Sequence, residues 1–293
     1  MTSSDKKISA KLDTVIHFLQ NKSSGESEMR PQVPISVPSR IYAYLSSEHA
    51  IQDLALLRMK LTISTQTNDP LEYACDFREY HCDPDKDYSK EDLQWIRRFQ
   101  NPQALPVGFI PCSRRNNNSL LWAYYGGHHT GMCLGLSTDF QFPGFPNPVQ
   151  AVHYDKNILI PRRDRSESEE LELIRQLFTT KQKWWIHEEE VRVLVPLNDS
   201  GVQVDGNLYF LTIDKTAIKS VAFGLNCSRG EIGAAILWCK YHEIEPELLK
   251  MEFAAHTSGY HLFARNLSET EKQECMTLAL LSDKATAFKS KPL

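Results

Sequence analysis

The chain has 293 residues, of which 41% are hydrophobic and 24% charged, enough apolar material for a full core, so global disorder and a simple motif-bearing peptide are excluded. Lys and Arg number 33 against 37 Asp and Glu, a formal net charge of −4 that denies the chain a general attraction to nucleic acid or anionic membrane. Without an apolar run of about 18 residues or a signal-peptide layout at its start, the chain is expected to be cytoplasmic, with no membrane partner.

In chain order, Ile8, Leu12, Val15, Ile16 and Leu19 recur at helical spacing, so residues 1–20 are expected to hold an amphipathic helix. Its single apolar stripe must dock on the domain or on a partner chain. Residues 21–39 are rich in Ser and Pro and poor in large apolar side chains, the composition of a linker. A single domain is expected over 40–293.

Strands are expected at Ile41–Tyr44, Gly108–Ser113, Met132–Leu136, Val149–Tyr154, Glu190–Pro196, Leu208–Ile213, Ile218–Phe223, Met251–Ala254 and Tyr260–Ala264, each rich in β-branched or aromatic residues. Helices are expected after Ser89, Ser166, Ser228 and Ser268, where a hydroxyl is followed three residues later by Asp92, Glu169, Glu231 and Glu271, the spacing of a capping box. This order is not a strict alternation of strand and helix. It predicts an α+β fold with a mixed, mostly antiparallel split sheet flanked by helices, behind an N-terminal helical extension.

Three segments could hold chemistry. In Leu61–Glu72 a short strand runs into Asn68-Asp69-Pro70, where a turn is the plain reading and presentation of Asn68 or Asp69 to a site is the functional one. In Cys112–Gly131 a strand ends at Ser113, and a short aromatic helix with Trp122, Tyr124 and Tyr125 runs into Gly126-Gly127-His128-His129. Its aromatic rings suit either the core or stacking on a planar ligand, and glycines allow close backbone approach. The two histidines point in different directions on any regular element, so no shared metal is expected.

The third segment, Lys181–Val195, contains Glu188, Glu190 and Arg192. If a strand runs from Glu188, these three share one face, with Glu189, Val191 and Val193 on the other. Arg192 could then hold one carboxylate while the other accepts a hydrogen bond or acts as a base. A salt-bridged solvent face on an edge strand fits the same pattern. Seven cysteines at irregular spacing, without a C-x-x-C pair, indicate neither a disulfide scaffold nor a zinc ribbon. Rossmann, P-loop, nucleophile-elbow and H-E-x-x-H patterns are absent from the sequence.

The succession Ile41-Tyr42-Ala-Tyr44, Leu61-Thr-Ile-Ser64, Asn68-Asp69-Pro70-x-Glu72, Cys112-Ser113, Leu121-Trp122-Ala-Tyr-Tyr125, His129-x-Gly131, Val152-x-Tyr154, Trp185-x-x-Glu188-x-Glu190-x-Arg192 and Phe223-Gly224 resembles the bacterial domain of unknown function 2971, over about residues 40–225. The layout of that family in turn resembles the ADP-ribosyltransferases, whose split sheet holds NAD between two halves. This resemblance implies NAD as co-substrate. It implies Glu190 as the carboxylate that stabilises the ribosyl cation and Glu188 as the group that handles the acceptor. Arg40 would lie at the pyrophosphate, with Tyr42, Ser113, Trp122, Tyr125 and His129 around the ligand and Asn68, Asp69 and Arg192 in support. The acceptor, whether protein, nucleic acid or water, stays open, and a role as a toxin or phage-defence effector follows from such an activity.

Two other classes fit the same residues. One is a binding module that holds a nucleotide or peptide without turnover. The other is a metal-dependent nuclease using Asp69, Glu72, Glu188 and Glu190, although no lysine stands at the spacing such a site would want.

Overall fold

The computed structural model describes residues 36–69, 72–73, 107–138, 148–155, 176–256 and 259–282. The helix expected at 1–20, nearly all of the 21–39 linker, and the helices expected after Ser89 and Ser166 lie outside them. In chain order the elements are β1 (Arg40–Leu45), α1 (Ser47–Leu56), β2 (Arg58–Leu61), β3 (Val107–Ser113), α2 (Ser119–Tyr124), β4 (Met132–Ser137), β5 (Val149–Ala151), β6 (His153–Asp155), β7 (Thr180–Gln182) and β8 (Glu190–Pro196). There follow β9 (Val202–Asp205), β10 (Leu208–Thr212), β11 (Ile218–Phe223), α3 (Arg229–Tyr241), β12 (Glu247–His256), β13 (Gly259–Asn266) and α4 (Glu269–Leu281).

Among the described residues, eight strands form one sheet in the order β13-β12-β11-β4-β1-β3-β8-β5. Within this sheet only β11 and β12 pair in parallel, so the α+β, mostly antiparallel reading holds. β2, β10 and β9 make a second, three-stranded sheet, and β6 pairs with β7. The strand expected over Val149–Tyr154 is two strands instead, because β5 pairs with β8 and β6 leaves at Val152 to run beside β7. The short strand expected to run into Asn68-Asp69-Pro70 ends earlier, at Leu61 of β2, and Ser64–Gln66 form a 3-10 turn before them.

β1 sits at the middle of the large sheet and explains how a cleft arises there. It pairs with β4 along its whole length, from Arg40↔Ser137 to Leu45↔Met132, but meets β3 at the single pair Tyr42↔Ser113. The two halves of the sheet therefore part beside β1. Period-two alternation sends Ile41 and Ala43 into the main core, while Tyr42 and Tyr44 pack on the opposite face against a second cluster built on Trp122, Cys133, Ala222 and Met251.

The helices close the main core from one side. Ser228 and Ser268 form the two capping boxes expected of them, with Glu231 and Glu271 returning the hydrogen bond to the cap residue. α3 buries Ile232, Ala235, Ile236 and Cys239 in the core. Where α4 crosses it, a side-chain carbon at Gly233 would lie 1.9 Å from the Cys275 carbonyl oxygen, so only glycine allows this approach. Among the described residues, no helix is long and apolar enough to cross a membrane.

Candidate active site at the sheet seam

β8 is flanked by β3 and β5, and all seven of its residues are buried, so the solvent-face reading of Glu190 and Arg192 fails. The strand begins at Glu190, as expected of Glu190–Pro196, and not at Glu188, where the shared-face reading started it. Lys183–Glu188 form a 3-10 turn, Glu189 takes a left-handed conformation at φ 45°, and extended backbone starts at Glu190. Glu188 thus reaches the pocket from the turn and not by strand alternation. Glu189 turns away to pair with Arg115.

Arg192 is wholly buried and spends its guanidinium on four acceptor atoms of three residues. Nε donates to Glu190 Oε1 at 2.8 Å, Nη2 to Glu190 Oε2 at 3.1 Å and to Glu72 Oε1, and Nη1 to the Phe178 carbonyl at 2.9 Å. Its planar group lies over the Phe109 ring, 4.2 Å from the centroid. Lys181 continues the chain of charge. Its Nζ donates to Glu188 Oε2 at 2.6 Å and to Glu190 Oε2 at 3.3 Å. Three carboxylates against two cations leave the cluster one formal negative charge. Such a network survives burial only because each member is hydrogen-bonded.

Burial and pairing pull the carboxylates apart. Burial pushes Glu190 up, but Arg192 and then Lys181 outweigh it and hold its carboxyl below the usual range. Glu72 ends above the usual range, because burial and the nearby Glu190 charge outweigh what Arg192 and Lys181 give back. Burial lowers Lys181 while the surrounding carboxylates, Glu190 first, leave it raised and charged.

The free end of this network opens into a pocket of about 230 Å³ at the β1–β3 seam. Register explains the convergence. Tyr42 stands opposite Ser113, and Ser113 opposite Glu190, so the three side chains form a row on one face of β1, β3 and β8. Glu188 presents its second oxygen to Tyr125, whose hydroxyl donates to Oε1 at 2.6 Å and accepts from Asn68 Nδ2 at 2.7 Å. Ser113 Oγ donates to the Glu188 carbonyl at 2.8 Å, fixing the turn that carries this carboxylate. The Glu190 backbone N–H donates to Tyr154 Oη at 2.7 Å.

Of the residues singled out in the sequence, Tyr42, Asn68, Ser113, Tyr125, Glu188, Glu190 and Arg192 meet at this pocket. Arg40 does not, since it lies at the far end of β1 and forks onto Glu247, with Nη1 at 2.7 Å. Trp122 is fully buried in the second core cluster, where its indole N–H donates to the Asn116 carbonyl at 2.7 Å. Asp69 is buried and takes the turn role, its carbonyl accepting from the Glu72 N–H. His129 stacks on the Trp122 ring and faces a different pocket. Cys112 is buried, and burial first, then Glu190, pushes its thiol up, away from nucleophilic use.

Sequence reasoning missed Lys181, which stands seven residues before Glu188 and joins Glu188 to Glu190. It also missed Glu72 as a partner of Arg192. Both stood inside the segments already singled out, but their contacts depend on a turn and on a long-range fold. Compared with protein-family models, with curated proteins and with solved structures, the chain matches none.

Proposed function

We propose that the seam pocket binds the nicotinamide–ribose end of NAD and that the chain cleaves the bond between them, transferring ADP-ribose to an acceptor or to water. The observation that carries this reading is Glu188, a buried carboxylate at a pocket wall with one oxygen held by Lys181 and the other by Tyr125. At about 230 Å³ the pocket is smaller than most whole-ligand sites, so it takes a ring and a sugar, and the rest of the dinucleotide lies outside. Tyr42, Tyr44 and Phe109 give it aromatic walls for the ring.

When the glycosidic bond breaks, its electron pair leaves with nicotinamide and positive charge develops on the ribose. A carboxylate fixed beside that carbon gains attraction in the transition state that it lacks in the ground state. We assign this role to Glu188, and the same carboxylate would take the proton of an attacking hydroxyl. Glu190 is forked through both oxygens by the buried Arg192 guanidinium, whereas Glu188 is held by Lys181 and by a neutral Tyr125 hydroxyl, so Glu190 is assigned to positioning Lys181 and through it Glu188. Such an activity consumes NAD in the cell, as a toxin or phage-defence effector would.

Release of nicotinamide from NAD by the purified full chain tests the reading. Glu188→Gln should lower the rate by about 10²- to 10³-fold. Stabilisation by NAD without any release would instead indicate a binding module, and equal rates in Glu188→Gln and the parent would overturn the assignment.

A further inference from the structure

The eight-stranded sheet ends differently at its two sides. β5, the last strand on one side, has only three residues, Val149–Ala151, and gives an incoming chain little to pair with. β13 closes the other side with eight residues, Gly259–Asn266, and among the described residues no strand pairs with its outer edge.

β13 also lacks the devices that usually blunt an edge strand. It contains no proline. Its register with β12 runs from Leu249↔Asn266 to His256↔Gly259 without a shift, so no bulge bends the edge away. Its one arginine, Arg265, is forked onto Glu252 and Glu271 of its own chain, which holds the charge on β12 and α4. Phe263, next to the middle of the strand, is left 40% exposed.

Alternation decides which backbone groups the edge offers. In an antiparallel pair a residue turns its N–H and its C=O to the same neighbouring strand, and successive residues turn to opposite sides. The Leu267 N–H donates to the Leu248 carbonyl at 2.9 Å, one step beyond the pair Leu249↔Asn266. Counting back by twos, Arg265, Phe263 and His261 spend their backbone groups on β12. Asn266, Ala264, Leu262 and Tyr260 therefore turn theirs to the open edge, a row that an extended strand satisfies.

We infer that β13 pairs antiparallel with β13 of a second copy of this chain, about a two-fold axis at Phe263, so that two eight-stranded sheets become one. Outward residues can bond only to outward residues, so the axis falls on a residue of the strand and not between two. Placed at Phe263, it uses all of Tyr260–Asn266. Leu262 then exchanges bonds with the partner subunit's Ala264, and Tyr260 with the partner subunit's Asn266. An axis at Leu262 or at Ala264 would leave Asn266 or Tyr260 without a mate in the strand. Phe263 faces the partner subunit's Phe263 at the closer, non-hydrogen-bonded position, which covers the exposed ring. The match is self-complementary, as a two-fold dimer needs. β12, β11 and β4 stand between β13 and β1, so the pairing leaves the seam pocket open and holds whether or not that pocket takes NAD.

Sedimentation velocity of the full chain through the micromolar range tests the pairing. The parent should sediment as a dimer that dissociates on dilution. Phe263→Lys and Phe263→Glu each set like charges against one another across the axis, so either variant alone should sediment at half the parent's mass, with the parent's circular dichroism. Mixed in equal amounts they should recover the dimer, because Lys then faces Glu. Ala264→Pro removes an outward N–H that β12 does not use, and it too should give a monomer. A parent that stays monomeric would overturn the proposal. So would a variant that stays dimeric alone, or a Lys and Glu mixture that stays monomeric, since either places the contact elsewhere than at Phe263.

Discussion

Two arginines in this chain hold the same set of partners in opposite surroundings. Arg192 takes both oxygens of Glu190 and one of Glu72. Arg265 takes both oxygens of Glu271, each at 2.9 Å, and one of Glu252 at 2.7 Å. The first guanidinium is 0% exposed and the second 37%. At Arg265 water can replace any lost partner, so the fork ties α4 to β12 and β13 without being needed. At Arg192 nothing else is available, and the charges must be satisfied as a set or the strand cannot bury them. A chain rarely maintains that second arrangement for stability alone, since apolar residues of similar volume commonly serve as well.

The largest effect should come from breaking the buried set. Arg192→Ala should cost about 3–5 kcal/mol in urea unfolding, because Glu190 and Glu72 are left as uncompensated buried carboxylates. A cost no larger than that of an exposed pair would mean that burial does not distinguish the two arginines.

Glu190→Gln should cost less, about 1–3 kcal/mol, since Arg192 keeps Glu72 and Lys181 keeps Glu188. Its pH dependence has a definite sign. The Glu190 carboxyl is held below its usual range, so its contribution is present above the unfolded value of 4.5 and disappears as pH falls through the lower folded value. The stability difference between parent and variant should therefore shrink in acid, and a difference that grew there would contradict the pairing.

Much of this was legible in the sequence, and the rest depends on distance along the chain. The capping boxes at Ser228 and Ser268 are local patterns, and both form as read. Glu190 and Arg192 were grouped correctly because strand alternation is local too. Glu188 joined them by a different route, through a 3-10 turn and a left-handed Glu189, which no periodicity announces. Arg40 stood next to a correctly read strand, yet the direction of β1 carries it to Glu247. The contact of Glu72 with Arg192 spans 120 residues, and no spacing rule reaches that far. α1 was missed because its Ser46 cap is followed by His49, which cannot return the bond as Glu or Gln would.

Asp53, on α1, is an intermediate case: buried at 5% exposure, with Arg58 as the nearby cation. Burial pushes its carboxyl up to about 7, against the opposing pull of Arg58. A raised value means that the fold favours the protonated form, so stability is fullest below 3.8 and is lost as pH rises to about 7. Asp53→Asn, neutral throughout, should raise the melting temperature at pH 8 and lose that advantage towards pH 4. An advantage independent of pH would mean that the effect is packing and not charge.

The smallest effect belongs to the exposed fork. Arg265→Ala should leave the urea midpoint of the full chain unchanged at moderate salt, because water replaces the guanidinium at both carboxylates. Its signature should appear in the Glu271 titration. That carboxyl is pushed down to about 2, first by Arg265 and then by the Ser268 N–H and hydroxyl of the capping box. Without Arg265 the value should rise part of the way towards 4.5 and stop short, since the cap still donates at 2.9 Å from the backbone and 2.8 Å from the hydroxyl. NMR titration of the two forms reads this directly. A full return to 4.5 would mean that the arginine and not the cap orders Glu271, and a large loss of stability would make the exposed fork the equal of the buried one.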